Sequence, residues 1–170
     1  MGFFSRLMGG SDEQKTAASE LEILAPVSGE LVHLENTNDP AFSSRAVGDG
    51  VAVVPQEGTE CAPVSGTVAA LFPTEHALGI MSDDSSAQVM LHIGIDTVKL
   101  EGKGFHALVA QGDHVDVGQP LVEVDFDAVR AAGFDPTVFV ILCERSENST
   151  LREHASGPVA VKEPVVWLSE

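Results

Sequence analysis

The segment Ala25-Pro26-Val27-Ser28-Gly29-Glu30-Leu31-Val32-His33-Leu34 recurs further along the chain as Ala62-Pro63-Val64-Ser65-Gly66-Thr67-Val68-Ala69-Ala70-Leu71. In each copy Pro and Gly form a turn signal, and residues with strand character follow. The repeat predicts two related β units that pack against each other. A second, weaker repeat links residues 48–53 with residues 112–117, where Gly and Asp precede an alternating run.

The remainder of the chain consists of short strand-like runs separated by turn signals. The whole chain contains 16 Gly and 9 Pro in 170 residues, and the turn signals recur along most of its length. Residues 127–132 alone look helical. We therefore predict an all-β domain, an antiparallel β-sandwich or partly closed barrel with an internal repeat and very short helices.

Composition excludes several classes of function. The chain has 26 acidic and 9 basic residues, a formal net charge of −17, which disfavours binding to nucleic-acid phosphates and favours a partner with a basic face. Cys61 and Cys143 have no Cys-x-x-Cys spacing, so neither a zinc knuckle nor a redox pair is predicted. No apolar run approaches the roughly 20 residues of a membrane span, and we predict a cytoplasmic protein.

Residues 1–19 are predicted to be a flexible N-terminal segment that precedes a domain over residues 20–170. Phe3, Phe4, Leu7 and Met8 recur at helical spacing, which fits either a weak membrane-surface helix or a frayed start of the chain. The stretch that follows, residues 9–15, is polar and turn-prone and is typical of a linker.

His92 is unusual among the six histidines because it lies in an apolar run, residues 88–98. Strand alternation places Val89, Leu91, Ile93 and Ile95 on one face of this run, and Met90, His92, Gly94 and Asp96 on the other. Since Gly94 has no side chain, we expect open space beside the imidazole, where a phosphoryl group or a partner could approach.

His76 lies in a second strand-like run, residues 72–80, where alternation puts Thr74 on the same side as the imidazole. If the two runs form an antiparallel hairpin that turns at residues 82–86, the rings of His76 and His92 face each other across the ladder. From the residues alone, a structural role for this pair is as well supported as a functional one.

The sequence His92-Ile93-Gly94-Ile95-Asp96-Thr97-Val98 resembles the active-site signature of the glucose-type enzyme IIA domains of bacterial sugar phosphotransferase systems. Leu100, Gly102, Gly104 and Phe105 extend the match, and Thr74-x-His76-Ala77, Asp39, Phe42 and both copies of the repeat also fit. The resemblance covers roughly residues 20 to 168 and implies an antiparallel β-sandwich.

The resemblance also implies roles for individual residues. His92 would accept the phosphoryl group on Nε2, His76 would stabilise the phosphate, and Thr74 would hydrogen-bond and orient His76. The carbonyl of Gly94 would bind the other ring nitrogen of His92. Such a protein is a phosphotransferase-system component with a phosphohistidine intermediate, and it works only with its partner proteins.

The implied partners are the phosphocarrier protein HPr, which donates the phosphoryl group, and an enzyme IIB/IIC sugar permease, which receives it. Asp39 and Asp96 would meet a basic residue of HPr, and the candidate docking residues are Val47, Leu71, Leu78 and Met90. In the unphosphorylated state, regulatory binding to transporters or kinases is a further expectation. No cofactor is required, although a zinc ion shared with a partner could use His76 and His92 as ligands.

Two alternatives stay open at this stage. A zinc hydrolase of lysostaphin-like architecture would use histidines and an aspartate on the metal, but the chain has no His-x-His pair. A biotinyl or lipoyl carrier would share the turn-and-strand pattern of residues 112–121, but none of Lys15, Lys99, Lys103 and Lys162 lies in the setting that such a carrier modifies.

Overall fold

The computed structural model describes residues 19–170 of the chain, so the prediction for residues 1–19 lies outside the described part except at Ser19. The strands are β1 (Glu20–Leu24), β2 (Gly29–His33), β3 (Asp49–Pro55), β4 (Thr59–Cys61), β5 (Gly66–Leu71), β6 (Ala77–Ser82), β7 (Ala87–Ile93), β8 (Phe105–Ala107), β9 (His114–Val115), β10 (Pro120–Val124), β11 (Val138–Arg145), β12 (Thr150–Glu153), β13 (Gly157–Val159) and β14 (Pro164–Ser169). The helices are α1 (Pro40–Ser43) and α2 (Phe126–Ala131), with 3₁₀ turns at Leu34–Asn36 and Thr97–Leu100. The prediction of an all-β domain with very short helices is confirmed.

The strands form one large sheet and two small ones, and every pairing found within residues 19–170 is antiparallel. The large sheet has the order β13-β2-β3-β11-β7-β6-β5-β9, and the small sheets are β1-β14-β12 and β4-β10-β8. The two copies of the main repeat become β2 and β5, which lie second from opposite ends of the large sheet. The weaker repeat does not mark equivalent strands, because β3 is an inner strand and β9 lies at an edge.

The central strands of the large sheet bury side chains on both faces. Along β11, Val138, Val140 and Leu142 join the main core, whereas Phe139 and Ile141 belong to a smaller cluster on the opposite face. The alternation of strand side chains produces this division. We call the smaller cluster the second-face cluster; its buried members are Leu34, Phe42, Ala52, Phe139 and Ile141, with Val32, Met90 and Ile95 partly buried against it.

Of the two helices, α2 was expected from the sequence and α1 was not. Residues 127–132 were predicted to be helical, and α2 occupies Phe126–Ala131. The helix α1 begins because Asp39 caps it, accepting a hydrogen bond from the Ala41 N–H at 2.9 Å, and because Pro40 suits the first helical position. This single turn places Phe42 over the second-face cluster.

The hairpin predicted between the two histidine runs is present, with β6 ending at Ser82 and β7 beginning at Ala87. Its turn is closed by Asp84, whose carboxylate accepts hydrogen bonds from the side chains of Ser82 and Ser86 at 2.7 Å each.

Within residues 19–170, no helix combines the length and the hydropathy that crossing a bilayer requires.

Candidate active site

His92 lies on β7 in the middle of the large sheet, on the second face. Its register partners are Phe139 on β11 and Ala77 on β6. The neighbours of His92 along β7, Leu91 and Ile93, are fully buried in the main core. The predicted alternation is therefore correct as far as Ile93, where β7 ends. The predicted continuation of the strand to residue 98 is wrong, because Gly94 and Asp96 have φ angles of 81° and 59° and turn the chain.

His76 lies in the turn between β5 and β6, one residue before β6 begins, so the prediction of a strand over residues 72–80 is wrong for its first half. Glu75, at φ 59°, makes the turn. Thr74 still reaches His76, with its Oγ1 2.6 Å from His76 Nδ1. The main chain of His76 accepts a hydrogen bond from the Ile93 N–H at 2.8 Å, which fixes the turn to β7.

The structure brings the two imidazoles together. Their ring centroids are 5.2 Å apart and the ring planes are nearly perpendicular, at 87°. His76 is 5% exposed and His92 is half-buried. The edge of one ring thus faces the other.

Three phenylalanines surround the imidazoles, and no role was predicted for any of them. Phe42 lies 5.1 Å from His92 and stacks on Phe139 at 4.2 Å, and Phe139 lies 6.2 Å from His92. On the other side Phe72, 48% exposed, lies 5.5 Å from His76. Phe42 was named only as part of the resemblance, and for Phe72 and Phe139 the available signal is scarcity, because only 5% of the chain is aromatic.

The environment keeps both imidazoles neutral at neutral pH. Burial, and then the neighbouring His92, lower the pKa of His76. Burial also lowers the pKa of His92, against the smaller opposing effects of the Gly94 backbone, Asp39 and Asp96. A neutral imidazole has one nitrogen with a free lone pair, as a nucleophile requires.

The buried nitrogen of His92 is not fully satisfied. No contact at Nδ1 meets the geometry of a hydrogen bond, although the Gly94 backbone still favours a proton on this ring. The expected contact from Gly94 to His92 is thus only partly formed in this structure. A donor hydrogen at Nδ1 would direct the lone pair of the ring to Nε2.

Gly94 is needed for a reason other than the one predicted from the sequence. We expected it to leave open space beside His92, but a Cβ at this position would overlap the methyl group of Thr97 and lie 3.1 Å from the Asp135 carbonyl oxygen. Thr97 is fully buried and its hydroxyl donates to the Ile93 carbonyl, so it cannot move aside. Gly94 therefore makes the tight turn after β7 instead of opening a pocket.

Asp39 and Asp96 flank the pair from two different segments. Asp39 is the half-buried cap of α1, and Asp96 is exposed, 3.9 Å from the ammonium group of Lys99. Both carboxylates favour the protonated form of His92 and so raise its pKa, against the larger effect of burial. Their role in meeting a basic residue of a partner stays a prediction.

The four candidate docking residues differ in accessibility. Val47 is 38% exposed, Met90 is half-buried on the His92 face, and Leu71 is half-buried against the main core. The prediction that Leu78 is a docking residue is wrong. It pairs with Leu91 in the register of β6 and β7, so its side chain enters the main core and is fully buried.

Metal binding by the site would need help from outside the chain. In the part of the chain that the structure describes, no three His, Cys, Asp or Glu side chains lie close enough to hold a metal ion. His76 and His92 could supply two of the four ligands that zinc usually takes. The remaining ligands would have to come from outside residues 19–170.

Fold and site together define a class of protein. It is a small antiparallel β-sandwich that presents two neutral, facing imidazoles on one surface, an arrangement suited to carrying a group on a histidine nitrogen.

A protein-family model described as phosphoenolpyruvate-dependent sugar phosphotransferase system, EIIA 1, matches residues 21–148, and the chain belongs to this family. It is 41% identical over 144 residues to the glucose-specific EIICBA component of Streptococcus pneumoniae. It is 38% identical over 170 residues to the beta-glucoside-specific EIIBCA component of Bacillus subtilis. These matches cover 85% and 99% of this chain, but only 20% and 28% of the two relatives.

A solved structure, the glucose permease IIA from Mycoplasma capricolum, has the same fold. It superposes with a TM-score of 0.81 at 34% identity, and the match covers 88% of this chain and 96% of that one. The glucose-type resemblance and the β-sandwich are thereby confirmed. Neither a zinc hydrolase nor a biotinyl or lipoyl carrier finds support in these comparisons.

Proposed function

We propose that this chain is a phosphoryl carrier in sugar uptake, in which His92 accepts a phosphoryl group from phospho-HPr and passes it to an enzyme IIB component. The observation that carries the proposal is the pair of imidazoles, edge to face with ring centroids 5.2 Å apart, in a domain of the EIIA 1 family. In the first step the Nε2 lone pair of His92 attacks phosphorus, and the bond from phosphorus to the donor atom of HPr breaks. The second step repeats this exchange with enzyme IIB as the acceptor.

The two imidazoles take opposite tautomers in this proposal. Transfer of a phosphoryl group depends mainly on in-line positioning and on stabilising the charge of the equatorial oxygens. The Thr74 hydroxyl, 2.6 Å from His76 Nδ1, donates to that nitrogen and leaves the proton of His76 on Nε2, from which it can be donated to a phosphate oxygen. His92 carries its proton on Nδ1, so that Nε2 is free to attack.

The surroundings of the pair suit partners that dock and leave. Phe42 and Phe72 lie against the two imidazoles and Met90 packs against the cluster that holds Phe42, so apolar side chains limit water at the phosphorus–nitrogen bond. Asp39 and Asp96 offer negative charge to a basic residue of HPr. The relatives named for glucose and for beta-glucosides carry IIB and IIC components in the same polypeptide as IIA. We infer that this chain serves a permease of that class, from the cytoplasmic side.

Three accompanying roles remain predictions. They are regulatory binding to transporters or kinases in the unphosphorylated state, a zinc ion shared between the two histidines and a partner, and weak membrane association through the N-terminal segment. The last depends on residues outside the described part of the chain.

The proposal is tested by labelling with radioactive phosphoenolpyruvate, enzyme I and HPr, followed by addition of an enzyme IIB domain. Wild type should take up acid-labile label and lose it when IIB is added. His92→Gln should take up none, because its amide nitrogen is not a nucleophile. His76→Gln should take up label but release it to IIB far more slowly, because a flexible amide replaces the imidazole N–H that Thr74 orients toward the transferring group.

A matched control is His106→Gln, which changes an exposed histidine on β8. This variant should behave as wild type in both steps. Label on His92→Gln at the wild-type level would overturn the assignment of His92, and free release from His76→Gln would overturn the role of His76.

A further inference from the structure

Residues 34–44, which form most of the connection between β2 and β3, place two groups close to His92. Phe42 packs 5.1 Å from its ring and Asp39 acts on its charge. The two stems of this segment are His33, the last residue of β2, and Arg45, which follows α1. We call residues 34–44 the Phe42 loop.

Both stems of the Phe42 loop bind one carboxylate that belongs to a different sheet. Glu153, the last residue of β12, has Oε2 2.9 Å from His33 Nδ1, and its Oε1 accepts a hydrogen bond from an Arg45 NH1 group at 2.9 Å. The Glu153 side chain is only 13% exposed, so solvent weakens these contacts less than those of a surface ion pair.

Arg45 is held on several sides in a conformation that needs support. Its φ angle is 59°, in the left-handed region that side chains other than Gly seldom adopt. Besides Glu153 it binds Glu35, inside the Phe42 loop, at 3.1 Å, and Asp49, at the start of β3, at 3.3 Å. These contacts raise the pKa of Arg45, with Glu153 as the largest cause.

From this geometry we infer that Glu153 is a positioning residue for phosphoryl transfer. By binding His33 and Arg45 it fixes both ends of the Phe42 loop and thereby sets Phe42 and Asp39 against His92, without touching the reacting atoms itself. The inference rests on the proposed function of His92, and it adds a residue from the small β1-β14-β12 sheet to the site on the large one.

The first test measures the loop without measuring activity. Trypsin cleaves after arginine only where the main chain can open locally. In the wild type, the hydrogen bond from Arg45 to Glu153 opposes this opening. Native-state cleavage after Arg45 should be roughly tenfold faster in Glu153→Ala than in wild type, because proteolysis follows the population of the open form. The matched control is Glu20→Ala, which removes another Arg–Glu pair of the same small sheet, Arg152 to Glu20 at 3.3 Å, and should leave cleavage after Arg45 unchanged.

The second test measures uptake of label from phospho-HPr over a range of HPr concentrations. Glu153→Ala should take up label about tenfold more slowly than wild type at saturating HPr, because a displacement of about an ångström at a reacting centre is enough for such a loss. Arg45→Gln removes the other half of the contact and should give a similar loss. Glu20→Ala should match wild type.

Coupling to Phe42 separates positioning from general destabilisation. In the wild-type background Phe42→Ala should slow uptake, and in the Glu153→Ala background the same change should add little, because the loop is already displaced. Fully additive losses, or wild-type cleavage and uptake in Glu153→Ala, would overturn the inference. Absence of label on the wild type would instead overturn the proposed function, and the cleavage result would still decide whether Glu153 holds the loop.

Discussion

Two buried groups among residues 19–170 lack hydrogen-bond partners, and they differ in almost every other respect. Within residues 19–170, the buried side-chain atoms without a partner are Nδ1 of His92 and both carboxylate oxygens of Glu60. His92 has a second imidazole at 5.2 Å and two carboxylates that act on its charge. Glu60, on β4, is 0% exposed and pairs with Val122 on β10.

Whether an unsatisfied polar atom indicates function depends on the groups that surround it. An unpaired polar group in a core is destabilising wherever it lies. His92 is half-buried beside a second imidazole and two carboxylates that act on its charge, so its unpaired nitrogen belongs to the candidate active site. Glu60 is sealed, no charged neighbour contributes to its pKa, and burial alone raises that pKa to about 8. We therefore expect Glu60 to affect stability and not transfer.

The largest effect should come from Glu60→Gln. Because the folded state raises the pKa of Glu60 from its ordinary 4.5 to about 8, folded wild type keeps a proton that the unfolded chain loses. Wild-type stability should therefore fall as pH rises above the ordinary value, by up to about 1.4 kcal/mol per pH unit, and level off near pH 8. Gln does not titrate, so the variant should gain on wild type throughout this interval in urea unfolding from pH 5 to pH 8.

A control and an activity measurement complete this test. Glu123→Gln, on the exposed side of the neighbouring strand β10, should not change the pH dependence of stability. Uptake of label by Glu60→Gln should equal that of wild type. A stability difference that stays constant with pH would mean that folding does not raise the pKa of Glu60, as expected if its carboxylate has a partner. Slower uptake would mean that Glu60 affects transfer as well as stability, contrary to the distinction between Glu60 and His92.

A smaller effect, confined to the histidine side of the comparison, is expected from Thr74→Val. The two side chains have nearly the same shape, but valine has no hydroxyl to donate to His76 Nδ1. Without that contact His76 no longer holds its proton on Nε2, and loss of such an orienting bond typically lowers activity about 10- to 100-fold. We expect wild-type uptake of label and a release to enzyme IIB slower by about tenfold.

Thr67→Val, an exposed threonine on β5, is the matched control and should release label at the wild-type rate. If Thr74→Val also released label normally, the orienting role of Thr74 would be lost, although His76 could retain its own.

Much of the fold and part of the site could be predicted because they follow from alternation and repetition. Val89, Leu91 and Ile93 lie on one face of β7 as predicted, and that face is the one that packs into the main core. The repeat marked β2 and β5. The errors fall where the main chain leaves the extended conformation. Nothing in residues 72–80 shows that Glu75 adopts a left-handed φ, so His76 was assigned to a strand, and the turn at Gly94 was missed in the same way.

The side chains that surround the site were harder to predict for a different reason. β11 is apolar on both faces, so its pattern cannot tell that Phe139 faces His92 while Val138 faces the main core. Leu78 could be placed only from the register of β6 against β7. Glu153 is separated from His33 by 120 positions in the sequence, and only the packing of two sheets brings them together.

The smallest expected effect concerns the two histidines, and it tests whether His92 affects the pKa of His76. Burial is the main cause that lowers the pKa of His76, and the neighbouring His92 is the second. In His92→Gln the second cause is removed and the first stays, so the pKa of His76 should rise but remain below the ordinary value. NMR titration of the His76 ring in wild type and His92→Gln measures this, with signals assigned from the His76→Gln spectrum. Glu60→Gln should leave the same titration unchanged, and a pKa of His76 that does not respond to His92→Gln would mean that the rings act independently.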